Sequence, residues 1–260
     1  MSDHIGFRTI GYRNFSAEEA IERIASIGYD GVEICLEHPG LEPEEMSPIT
    51  AAGLSAVVED AGLQVAPVSY HGDRDPLPLR WERAMRAIEL TPMMGADTLI
   101  INSPRPAGHD AGDLEDEFRH QIERQIGRAE TIGVTLAFEP EPGLLVDNCA
   151  DMLALLKEFD SSALAVNLDV GHAFLTEEDL SASIQSLGRH TVAAHIEGMP
   201  AGEHRHLVPG EGDIDLTEVL SSLRANDFAG WLTVDLFDIA DEPDEAAQAS
   251  LKAMRQLVGS

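Results

Sequence analysis

The sequence predicts an α/β fold, a single (β/α)8 TIM barrel over residues 1–260, and three observations lead there. Short apolar or β-branched runs recur along the whole chain at intervals of about 30 residues, the length of one strand–helix unit. Amphipathic stretches separate them, and no linker rich in Gly, Ser or Pro interrupts the alternation. The length of 260 residues also suits one such barrel. The rival, an open doubly wound sheet, normally carries a Gly-rich phosphate loop after its first strand. Ile5-Gly6-Phe7-Arg8-Thr9-Ile10-Gly11 offers nothing of that kind.

The first strand is expected over residues 5–9 and its helix over 16–27. Ser16-Ala17-Glu18-Glu19 opens that helix as a capping box. Ala20, Ile21, Ile24, Ala25 and Ile27 then recur at helical spacing, and Gly28 stands where a C-cap belongs. The second strand covers 31–36; its helix, over 48–61, has the least distinct pattern. Strands at 64–69, 97–102 and 134–139 are followed by helices at 81–94, 113–132 and 147–159. Strands at 163–169, 191–197 and 231–237 are followed by helices at 177–187, 216–226 and 243–258. The junction of helix, Gly and strand recurs at Gly62, Gly95 and Gly133. Several runs are nearly continuous in apolar residues, as parallel strands covered on both faces require.

Charge narrows the partners. With 47 acidic against 17 basic residues, the formal charge is −30, which repels phosphate backbones and anionic lipid. Neither nucleic acid nor a membrane surface is therefore expected as a partner. Cys35 and Cys149 have no paired-ligand spacing and make no disulfide framework; Cys35 reads as a buried thiol. The N-terminal residues lack the charged-then-apolar order of a signal peptide, and no run approaches the ~18 apolar residues of a membrane span. The expectation is a cytoplasmic protein.

In a barrel the chemistry gathers at the carboxyl ends of the strands. Strand 2 ends near Glu33 and Glu37-His38, strand 3 at Tyr70-His71-Gly72-Asp73, and strand 4 at Asn102-Ser103. Strands 5 to 8 then deliver Glu139, Asp169, His195 and Asp235 at equivalent depth. One carboxylate at a strand end means little, but four ligand-type residues on adjacent strands form a set. Three carboxylates and one imidazole suit a single divalent ion, Mn2+ foremost, with Mg2+, Co2+ or Zn2+ as alternatives; the set is too rich in oxygen for a thiolate-type zinc site.

On these residues the chain resembles the xylose isomerase-like TIM barrels, a group covering sugar isomerases and epimerases and metal-dependent apurinic endonucleases. The most specific pieces are Phe138-Glu139-Pro140-Glu141-Pro142, Leu168-Asp169-Val170-Gly171-His172, His195-Ile196-Glu197, and the loop from His204 to Asp215. The resemblance implies that Glu139, Asp169 and His195 bind the metal and that His172 contacts substrate. It also implies that Arg205 and His206 approach substrate or metal, and that the chain forms homo-oligomers. Two departures stand out. The family's eighth-strand ligand is usually glutamate, which in the epimerases also serves with the fifth-strand glutamate as a proton-transfer base; here it is Asp235, one methylene shorter. Xylose isomerase carries a lysine where this chain has Glu141, and that charge reversal argues against its hydride shift.

The expected function is isomerisation or epimerisation of a sugar, keto-sugar or cyclitol. A divalent ion polarises the carbonyl and stabilises the enediolate left when the neighbouring carbon loses a proton. Glu139 and Glu141, then Asp235, are the candidate bases. His71, beside Gly72-Asp73, is expected to touch substrate, and Tyr12 to stand near the pocket. His38 reads as a surface residue, and Trp81 and Trp231 as core or interface aromatics. The run Pro209-Gly210-Glu211-Gly212-Asp213 fits a loop folded over the mouth. Alternatives are a hydrolase or lyase on an oxidised sugar, an endonuclease using His71, His109, His204 and His206, and a non-catalytic barrel.

Overall fold

The computed structural model describes residues 4–106, 108, 111–239 and 241–259; His109 lies outside the described residues. Eight parallel strands close a barrel in sequence order: β1 (Ile5–Arg8), β2 (Gly31–Cys35), β3 (Gln64–Ser69), β4 (Thr98–Ile101), β5 (Thr135–Phe138), β6 (Leu164–Asp169), β7 (Thr191–Ile196) and β8 (Trp231–Val234). β1 pairs with β8 through Phe7 and Val234, which closes the ring. Helices α1 (Ala17–Ile27), α2 (Pro48–Asp60), α3 (Leu77–Leu90), α4 (Ala111–Ile132) and α5 (Cys149–Phe159) cover the first five strands. α6 (Val170–Thr176), α7 (Leu180–Leu187), α8 (Leu216–Ala225) and α9 (Pro243–Val258) complete the outer layer. Residues of β1, β2 and β6 are buried throughout, as double-sided cover requires.

The local signals act where they were read. Ser16 accepts the Glu19 amide at 3.2 Å, and Gly28 closes α1 in the left-handed region at φ 101°; Ser47, a cap not read in the sequence, accepts the Thr50 amide at 3.1 Å. α3 begins earlier than expected because Pro78 is tolerated in its first turn. It ends at Leu90, where Pro92 turns the chain into a 3-10 turn, Thr91–Met94. α7 begins later than expected, since Asp179 caps it by accepting from Ala182 at 2.9 Å. α6 is an addition: β6 runs straight into it, and its cap is Asp169 itself, which accepts from His172 N at 2.8 Å.

Register then places the chemistry. Asp169 is paired with His195 across β6 and β7. Glu139 is the first residue past β5 and Asp235 the first past β8. At this end a cavity of about 690 Å3 opens. A larger one of about 900 Å3 lies at the opposite end, where Thr98, Thr135, Thr191 and Trp231 start their strands, away from every ligand-type cluster described below. Among the described residues no helix is long and apolar enough to cross a membrane.

Candidate metal centre and active site

Glu139, Asp169 and His195 each offer an atom within 4.8 Å of the other two, and all three side chains are buried. His195 Nδ1 is the focus. It stands 3.1 Å from Glu139 Oε2, 3.8 Å from Asp169 Oδ2 and 3.7 Å from Asp235 Oδ2. The other ring nitrogen, Nε2, lies 2.9 Å from Glu33 Oε2. With Nε2–H donated to Glu33, the Nδ1 lone pair faces the carboxylates, the arrangement a metal-binding histidine needs. Asp235 does not join the group of three, and its Oδ2 is bonded to Arg8 at 2.9 Å.

Carboxylates this deep must be compensated. Burial works against charge on Glu139, and Asn167 compensates by donating to Oε2 at 2.6 Å. Asp235 is likewise penalised by burial, yet Arg8 foremost brings it down to about 2. Glu197 goes the other way: burial, then Asp169 and Asp235, push its pKa well up. Its Oε1 accepts from Gly171 N at 2.5 Å. A Cβ on Gly171 would stand 2.4 Å from that oxygen, which explains the glycine in Asp169-Val170-Gly171-His172.

Buried polar atoms test whether these residues suit a cation. Asp169 Oδ2, His195 Nδ1 and Asp235 Oδ1 are all buried without a hydrogen-bond partner. Asp169 Oδ2 and His195 Nδ1 belong to one group with Glu139, so these three residues fit a divalent ion, with Asp235 Oδ1 a further unpartnered oxygen outside that group.

Above this floor the cavity is lined by His71, Glu139, Glu141, His172, His204, His206 and Asp235, among others. Glu141 receives Asn102 Nδ2 at 2.9 Å, and burial is the main cause that raises its pKa. Two demands meet at His71. Burial lowers its pKa and Glu139 raises it, to about 9. A guanidinium nitrogen of Arg8, however, lies 2.8 Å from Nδ1. An imidazolium would set N–H against N–H there, so the ring is neutral, with its proton on Nε2. His172 Nε2 meets His204 Nε2 at 3.0 Å, and burial followed by the neighbouring histidines lowers His204 to about 4. His206 donates Nδ1–H to the Asp235 carbonyl at 2.8 Å.

The loop from Gly198 to Gly212 carries His204 and His206 to the mouth, held by bridges Gly198–Leu207 and Met199–Gly212. Arg205 does not reach the cavity: its side chain is 54% exposed, 3.8 Å from Glu203. Tyr12 is buried away from the mouth and donates to Asp244 at 3.0 Å, while its neighbour Arg13 lines the cavity. His38 is not a surface residue. It is fully buried, within 3.3 Å of the Tyr12 carbonyl, because the turn after β2 folds inward under the loop following β1. Trp81 is buried in the helical layer, with its indole N–H donated to Glu117 at 2.7 Å.

Arg8, Glu33, Asn167 and Glu197 belong to this centre too, and their roles were not read from the sequence. Glu33 stood at a strand end and could have been suspected; the signal for Arg8 was a charged residue inside an otherwise apolar first strand.

Comparison with known proteins identifies the family. The chain is 25% identical to fructoselysine 3-epimerase of Shigella flexneri over 273 aligned positions, covering 97% of each. It is also 25% identical to 3-dehydroshikimate dehydratase of Pseudomonas putida, covering 92% of this chain and 39% of that protein. The crystal structure of the IOLI protein with a binding zinc atom superposes with a TM-score of 0.80 at 17% identity, covering 98% of each chain. The model of the xylose isomerase-like TIM barrel family matches residues 21–257, and the chain belongs to that family.

Proposed function

We propose that the protein is a divalent-metal-dependent isomerase or epimerase of a sugar, keto-sugar or cyclitol, acting by proton transfer at a carbon beside a carbonyl. The observation that carries this is the buried group of Glu139, Asp169 and His195, with Asp169 Oδ2 and His195 Nδ1 unpartnered, beneath a cavity whose wall holds Glu141. Glu139, Asp169, His195 and Asp235 would hold the ion, with Mn2+ the first choice for so oxygen-rich a set. The ion, when bound, supplies Lewis-acid polarisation of the carbonyl and its neighbouring hydroxyl.

The chain's own residues divide the remaining work. Glu141, whose raised pKa suits both taking and returning a proton, is the leading acid–base group. His71 lines the cavity with Nε2 3.6 Å from Glu139 Oε2, and its ring stands beside the substrate space. His172 and His206 face the same space and bind hydroxyls. Asp235, held at about 2, is a poor proton acceptor, and its part in this reading is binding. The epimerase among the relatives supports the sugar-like substrate.

One observation favours a second reading, a lyase that eliminates water from an oxidised sugar. With Asp235 tied to Arg8, Glu141 is the wall carboxyl whose pKa burial raises, and elimination needs only one base; a dehydratase stands among the relatives. Incubation of Mn2+-loaded protein with a panel of ketopentoses and ketohexoses in deuterium oxide separates the two. Isomerisation or epimerisation puts deuterium on the recovered sugar's carbon skeleton, and elimination yields a product lighter by one water. Glu141→Gln is expected to slow either reaction by about 10²–10⁴-fold. Full metal content in both Asp169→Asn and His195→Ala would sink the metal centre.

A further inference from the structure

Arg8 is the only guanidinium in contact with the proposed ligands among the described residues. Its side chain is 8% exposed, and it meets three other strands of the barrel. Nε lies 3.1 Å from Glu33 Oε1 and 3.2 Å from Ser69 Oγ; one terminal nitrogen is 2.9 Å from Asp235 Oδ2, the other 2.8 Å from His71 Nδ1. Glu33 divides its two oxygens, Oε1 toward Arg8 and Oε2 toward His195 Nε2. From a single residue of β1, contacts therefore run directly to Asp235 and, through one carboxylate, to His195.

A charge buried this way does not earn its place through stability. Replacing a buried ionic network by apolar groups of similar size is often neutral or better for the fold. What a guanidinium offers is direction: a planar fork with donors fixed along several axes, which neither an apolar side chain nor an ammonium reproduces. The terminal nitrogens meet Asp235 and His71, while Nε donates to Ser69 Oγ and stands in ion-pair contact with Glu33 Oε1. With Oδ2 of Asp235 held, Oδ1 is the oxygen left without a partner. With Glu33 held, His195 is fixed as the tautomer whose Nδ1 lone pair faces the carboxylates.

We propose that Arg8 is the positioning residue of this centre, orienting two ligands, Asp235 directly and His195 through Glu33, and fixing His71 as the Nε2–H tautomer at the cavity wall. The inference rests on reading Glu139, Asp169, His195 and Asp235 as metal ligands, except for its His71 part, which stands alone. It also explains how a shorter eighth-strand carboxylate is kept in one pose.

Calorimetric titration with Mn2+ of the wild type, Arg8→Met, Arg8→Lys, Asp235→Ala and the Arg8→Met/Asp235→Ala double variant tests it. Residues that orient metal ligands typically change affinity by about 10–100-fold, and Arg8→Met should fall in that range while keeping the wild-type circular dichroism spectrum. Arg8→Lys should restore only part of the affinity. The double variant should lose less than the product of the two single losses, because both changes act on one carboxylate; a merely structural arginine would give independent losses. Nitrogen-15 NMR of the wild type provides a readout that needs no variant: His71 should show an unprotonated Nδ1 and a protonated Nε2. Wild-type Mn2+ affinity in Arg8→Met, or in Arg8→Lys if the methionine variant is unfolded, overturns the role toward the ligands. A protonated Nδ1 on His71 overturns the role at the cavity wall. If the wild type binds neither Mn2+ nor Zn2+, the metal reading itself has failed, and the His71 tautomer still decides what Arg8 does.

Discussion

His195 illustrates how one hydrogen bond decides a ligand. Its ring could turn either nitrogen toward Glu139 and Asp169, and Glu33, at 2.9 Å from Nε2, selects Nδ1. Glu33→Gln tests that selection, because the amide can offer its NH2 group where the carboxylate could only accept. The expected result is a Mn2+ affinity lower by about 10–100-fold by calorimetry, the usual effect of removing the partner of a metal-binding histidine. Unchanged affinity would show that His195 holds its tautomer without Glu33. Glu139, Asp169 and His195 were legible in the sequence because their side chains declare their chemistry and the strand-end rule supplies the position. Arg8 and Glu33 were not, since their meaning lies in contacts across 227 and 162 positions of chain. His38 was misjudged for a related reason: a Pro-Gly sequence marks a turn but does not say which way the turn folds.

Elements were read best where a backbone group needs a particular partner. Ser16 and Gly28 mark helix ends because a hydroxyl can satisfy an otherwise unpaired N–H and glycine tolerates the left-handed region. The periodic pattern missed α6 because seven residues hold only two turns, and its cap, Asp169, had already been assigned to the strand. Asn148 is a cap of the same kind: it opens α5 by accepting the Asp151 amide at 3.0 Å. Removing such a cap typically costs about 0.5–2 kcal/mol, so Asn148→Ala should lower the urea midpoint by that equivalent without altering Mn2+ affinity. A matched loss of affinity would mean that α5 also sets the geometry of the loop carrying Glu141, a coupling the present contacts do not require.

At the scale of the whole molecule the dominant quantity is the formal charge of −30. Its arginines are drawn largely into local pairs, such as Arg23 with Glu19 and Asp244, and Arg119 with Glu115 and Glu158, so most of the acidic excess is left facing water. Self-repulsion of that surface opposes the compact state, and salt screens it, with a Debye length shortening from about 30 Å at 0.01 M to about 3 Å at 1 M. The metal-free protein should therefore gain stability as KCl is raised from low to moderate concentration. For a chain of this size each kcal/mol gained moves the melting temperature by about 2–4 °C. The same field draws a divalent cation toward the cavity, so screening must act on binding with the opposite sign: Mn2+ affinity should fall as KCl rises. Melting curves and Mn2+ titrations over one salt series check both signs together. A melting temperature that falls with salt would mean that surface ion pairs, rather than net repulsion, govern the fold, and an affinity that does not fall would place the centre beyond reach of the surface charge.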